Sequence, residues 1–243
     1  MHKPIAAALL ALLAQPLQAQ YSAGREVTFT VRVENVSTAS TLKLSNGTTA
    51  PAPTAPLLWT ITDAGNPIFT AGVRDQKHGL QQLAEDGNPG VLADYITQQM
   101  KSVLRSGVVV VPLGDKSAGP ITPGKAYEFT VAAAPGQRLS LAFMFGQSND
   151  LFYGSGAKGI ALFDAKGKPL TVDVTSQLSL WDAGTEVNEE PGLGPNQAPR
   201  QAAPGAGTKE HTVVAAVHDN FAYPRTTDVI RVTVASSAAT AAR

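Results

Sequence analysis

The chain has 243 residues with 19 basic and 19 acidic side chains, a balance that argues against nucleic-acid or anionic-membrane partners, which select basic surfaces. It has no cysteine, which excludes disulfides and thiolate zinc sites and leaves a hydrophobic core, or a cation held by oxygen, to tie down loops. Aromatic residues make up only 6%, leaving few platforms for stacking on sugars.

The first nineteen residues read as a secretory signal peptide. Lys3 gives a positive start, residues 5–13 form an apolar run, and Leu17, Gln18 and Ala19 precede a cut after Ala19. The expectation is a secreted or periplasmic protein with one domain over 20–236 and a flexible tail over 237–243. The apolar run is too short to cross a bilayer, and no later segment approaches the required length. Removing residues 1–19 takes away one lysine and no acid, so the exported chain carries one more acid than base.

Period two dominates from Arg25 onward. REVTFTVRVEN (25–35) places Val27, Phe29, Val31 and Val33 on one face and Thr28, Thr30, Arg32 and Glu34 on the other, the pattern of a half-buried antiparallel strand. LLWTIT (58–63), PIFTAG (67–72) and GVVVVPLG (107–114) are shorter strand candidates. Between them, from His78 to Leu104, apolar residues at Leu80, Leu83, Val91, Leu92, Tyr95, Ile96 and Met100 suit one or two short helices, with Asn88-Pro89 as a helix start.

AYEFTVAAA (126–134) and RLSLAFMFG (138–146) alternate about the turn PGQ and predict a hairpin. GIALFD (159–164), HTVVAAV (211–217) and DVIRVTVA (228–235) are further strands. GSGAKG (154–159) lacks the ending of a phosphate loop and precedes a strand, so it reads as a hairpin turn. Residues 191–208, rich in Pro, Gly and Ala, read as an exposed loop without enough apolar surface to order itself. Many short strands with Gly- and Pro-rich connections predict an all-β, two-sheet antiparallel sandwich with a short helical insertion.

SLWDAGTEVNEEP (179–191) crowds Asp182, Glu186, Glu189 and Glu190 into nine positions. Gly184 permits a sharp bend, so Asp182 and Glu186 can converge and suit the loose all-oxygen shell of calcium. Asp150 ends the preceding long strand segment, and a sandwich can bring such loop ends together. Without a metal the three carboxylates repel one another and tend to hold protons. Solvated loop acids are the plain alternative, since the spacing is not that of an EF-hand. Glu189 and Glu190 read as solvated.

His211 and His218, seven apart, fall on opposite faces of a strand and cannot share a metal, and with His78 they read as surface or edge residues. No G-x-S-x-G occurs. Trp59 reads as core, and Trp181 as core or as a lid beneath a metal.

REVTFTVRVENVS, GVRDQKHGLQQLAEDGNPGVL, SNDLFYG and SLWDAGTEVNEEPG follow the order of motifs in the spondin N-terminal domain, the module of F-spondin and mindin. The resemblance runs from about residue 26 to 234. It implies a C2-like antiparallel sandwich that binds Ca2+ in loops at one end and serves in adhesion or recognition. The calcium carboxylates it implies are Asp150, Asp182 and Glu186. Two departures are Glu186, where the family has Asp, and Leu151, where it has Trp. The expected function is therefore an exported, non-catalytic calcium-binding module for an extracellular protein or glycan. A carbohydrate-active protein using the same acids, as lectin-like binder or glycoside hydrolase, is the alternative.

Overall fold

A computed structural model describes residues 25–237; the expected signal peptide and nearly all of the expected tail lie outside them. In chain order the elements are β1 (Val27–Asn35), β2 (Leu42–Lys43), β3 (Thr49–Ala50), β4 (Thr54–Thr62), α1 (Leu80–Asp86), α2 (Gly90–Gln99), β5 (Val103–Val109), β6 (Ala126–Ala133) and β7 (Arg138–Phe145). They continue with β8 (Leu151–Ser155), β9 (Ile160–Ala161), β10 (Thr171–Asp173), β11 (Leu178–Asp182), β12 (Ala215–Ala216), α3 (Thr226–Val229) and β13 (Ile230–Ser236).

The smaller sheet has the order β10-β13-β1-β6 and the larger β12-β11-β8-β7-β4-β5, with β9 also paired to β7. All pairings within the two sheets are antiparallel. The alternation in β1 decides its orientation. Phe29, Val31 and Val33 are wholly buried, and Val31 lies opposite Val234 on one side and Phe129 on the other. Each such side chain contributes about 1.5–3 kcal/mol on burial. A one-residue slip would turn all three to water.

The larger sheet is covered twice. Leu57, Ile61, Leu141, Phe143 and Tyr153 face the smaller sheet in the main core. Leu58, Ala142 and Phe152 face outward, beneath Leu80, Leu83, Leu92 and Ile96 of the two helices. The sandwich therefore carries a third, helical layer over part of one face. The two helices fall where the apolar spacing places them, and the Asn88 side chain accepts from the Gly90 amide at 3.0 Å to start α2.

Five local readings need correction. β6 and β7 do not form a hairpin: β6 pairs with β1 and β7 with β4, so the turn at 135–137 carries the chain from one sheet to the other. β7 and β8 are almost wholly buried because both faces of their sheet are covered, so alternation there carries little information. The GSGAKG turn joins β8 and β9, which lie end to end along the same side of β7. PIFTAG forms no strand, and HTVVAAV keeps only the two-residue β12.

The 191–208 loop is also better anchored than its composition suggests. Gln197 is wholly buried, its Oε1 accepting from the Gly192 amide and its amide donating to the Glu190 carbonyl. Arg200 donates to the Gly194 carbonyl and to Gln147, while Asp86 accepts from Gln201 and the Gly205 amide. Hydrogen bonds to the scaffold supply the order that apolar burial cannot.

Candidate metal centre

Asp150 closes the turn between β7 and β8, and Asp182 ends β11. Because β8 and β11 are neighbours, with Leu151 opposite Asp182, the two acids meet at one end of the larger sheet. Past Asp182 the chain bends at Gly184, whose φ of 69° lies in the left-handed region. The Gly184 amide donates to the Asp182 Oδ1 at 2.7 Å, and Asn188 donates to its Oδ2 at 2.7 Å.

Beyond the bend, residues 184–187 run antiparallel to 208–212. The Thr212 amide donates to the Gly184 carbonyl, the Glu210 amide to the Thr185 carbonyl and the Val187 amide to the Thr208 carbonyl. Glu186 and Lys209 form a bridge pair in this ladder, so their side chains leave on the same face. Lys209 Nζ reaches Glu186 Oε1 at 2.7 Å and Glu85 Oε2 of α1 at 3.0 Å. Glu210, one residue on, points to the opposite face.

That alternation decides the membership of the acidic group. Ligand oxygens of Asp150, Asp182 and Glu210 lie within 4.8 Å of one another. Of the three carboxylates expected from sequence, Asp150 and Asp182 come together. Glu186 places its carboxylate in the Lys209 pair and gives the group only its amide, which donates to Asp150 Oδ2 at 3.0 Å. Glu210 is the member that sequence reasoning missed. It stands beside the 191–208 loop, just before a strand candidate, and no spacing to residues 182–186 marks it.

Asp150 is wholly buried. Its Oδ2 accepts from the Thr185 amide at 2.7 Å, the Thr185 hydroxyl at 3.1 Å and the Glu186 amide. Its Oδ1 is buried without a donor. Burial, followed by the Asp182 charge, pushes the Asp150 carboxyl up to about 7. Burial also raises Asp182, with the Asp219 charge adding to it, and it raises Glu210, with Asp182 adding to it. Three acids all shifted toward holding protons form a site that a cation would relieve. Every side-chain ligand is oxygen, a set that suits a hard cation.

The remaining candidates have plain roles. Glu190 accepts from the Ser45 amide and hydroxyl, each at 2.6 Å, and Glu189 from the Asn196 amide and side chain. Both therefore brace loops. His211 and His218 are exposed. Trp181 packs edge-on to Phe69 and donates to the Gly154 carbonyl, and Trp59 stacks on Phe129; both serve packing. Among the described residues, no helix is long and apolar enough to cross a membrane. No protein-family model matches the chain, and no curated protein matches it.

Proposed function

We propose that the chain is an exported, non-catalytic recognition or adhesion module of the spondin type, in which a calcium ion bound by Asp150, Asp182 and Glu210 cross-links loops at one edge of the sandwich. The observation that carries this reading is the wholly buried Asp150, with one oxygen saturated by donors and the other without one, set against two further carboxylates. A buried carboxylate in that state needs a proton or a cation. Motif order and the antiparallel two-sheet architecture support the spondin comparison. Calcium is favoured over magnesium because the ligands come from three separate segments, the β7–β8 turn, the end of β11 and the 208–212 segment, which suits a loose shell better than a strict octahedron.

Thermal unfolding of residues 20–243 in EDTA, then in millimolar calcium or magnesium, tests the cation. The expected result is a calcium-specific rise in melting temperature, absent in Asp150→Asn and Glu210→Gln. Equal melting curves, together with no calcium heat in calorimetry, would sink the reading. Turnover of a chromogenic glycoside, lost in Asp150→Asn, would replace binding with hydrolysis.

A further inference from the structure

Two cavities adjoin at this edge and share Arg74 and Asp75 as a common wall. The first, of about 220 Å³, is bordered by polar and charged residues: Lys77, Gln81, Thr185, Glu210 and His211 stand around it beside Arg74. Thr185 and Glu210 belong to the ladder that builds the acidic group, so this cavity shares one wall residue, Glu210, with that group. The second, of about 250 Å³, has Ile68, Phe69, Leu80, Leu92, Tyr95 and Met100 in its walls. The His78 ring stacks on Tyr95 at 3.7 Å and completes that side.

The charges between the cavities are unequal in how they are used. Lys209 is committed to Glu85 and Glu186. Arg74 and Lys77 are exposed and, among the described residues, enter no ion pair. Lys77 is also the one described non-glycine residue with a positive φ, at 61°. A long side chain held in that region is uncommon and is found disproportionately at ligand sites. The segment thus sets two unpaired cations, with the unpaired Asp75 between them in sequence, around a cavity whose wall shares Glu210 with the acidic group.

Each cavity is smaller than the roughly 300–1,000 Å³ of pockets for whole small ligands. Each suits a single side chain, and together they suit two side chains of one extended segment. We infer that these paired cavities receive a segment of a partner protein, which places a carboxylate between Arg74, Lys77 and the bound calcium and an adjacent apolar or aromatic side chain in the cavity beside Tyr95 and Met100. This rests on the calcium reading above. The carboxylate would complete the metal's oxygen shell while Arg74 and Lys77 offset its remaining charge. The apolar neighbour would supply the burial that a single exposed ion pair lacks.

The test is an NMR titration of calcium-saturated protein with two blocked dipeptides, N-acetyl-Asp-Phe-amide and N-acetyl-Phe-Asp-amide. Saturable shifts are expected at Arg74, Lys77, Tyr95 and Met100 with at least one of them. Binding should weaken at least tenfold when Asn replaces the peptide's Asp, when Gly replaces its Phe, and in an Arg74→Gln/Lys77→Gln protein. Both substituted residues are exposed, so that variant should keep its melting temperature, and with two like charges removed it should bind calcium at least as tightly. Calcium-loaded protein that shows no peptide shifts, or shifts indifferent to these changes, overturns the inference alone. Calorimetry showing no calcium binding overturns the metal reading and this inference together.

Discussion

The outer face of the smaller sheet and the loop edge of the larger one use charge in opposite ways. On the sheet face, Arg32 lies opposite Glu128, and Glu34 opposite Arg231, with ion-pair distances of 3.4 and 2.7 Å. The Arg231 hydrogen bond holds the Glu34 carboxyl below its ordinary range. At the loop edge, Asp150, Asp182 and Glu210 face one another and all are raised, in each case first by burial. Pairing across strands satisfies charge where the fold alone needs it. Acids gathered without a base are left uncompensated by the fold itself.

The largest expected effect comes from breaking the unpaired side of this contrast. Asp150→Ala removes the acceptor for the Thr185 and Glu186 amides and should cost about 3 kcal/mol in urea unfolding with EDTA, and it should abolish the calcium response. Between the two extremes stands Lys209, the single base serving two buried glutamates. Lys209→Met should cost about 2 kcal/mol, with partial exposure of the lysine limiting the loss. The same change in a Glu85→Gln background should cost less, because one buried charge has gone.

A smaller effect on stability sharpens the assignment of the group. Glu210→Gln should change unfolding in EDTA by no more than about 0.5 kcal/mol yet lose the calcium shift, whereas Glu186→Gln should keep it. The reverse pattern would return Glu186 to the site.

The smallest effect lies on the paired face. A lowered carboxyl such as Glu34 contributes stability that is present above its ordinary range and lost as pH falls through its folded-state value. Melting temperatures from about pH 5 to about pH 3 should therefore fall slightly less steeply in Arg231→Gln than in the unaltered protein. Identical slopes would show that this pair contributes nothing measurable.

Much of this was legible in the chain. The period-two pattern of residues 27–33 determined a strand and its buried face, because a pleat sends neighbours to opposite sides. Leu80, Leu83, Leu92 and Ile96 marked two helices by their spacing. Gly184 between Asp182 and Glu186 marked a bend with acids on either side of it, and Asp150 and Asp182 were both readable as acids that could come together. Tertiary structure alone decided the rest. Residues 138–141 alternate, but 141–145 are apolar on both faces, and a run without alternation does not say which sheet it joins or that helices will cover its outer side. Glu210 enters the acidic group, and Glu186 leaves it, because the 208–212 segment pairs with 184–187 in one register. A side chain's face is set locally, but which faces meet is set by a pairing between residues distant in the chain.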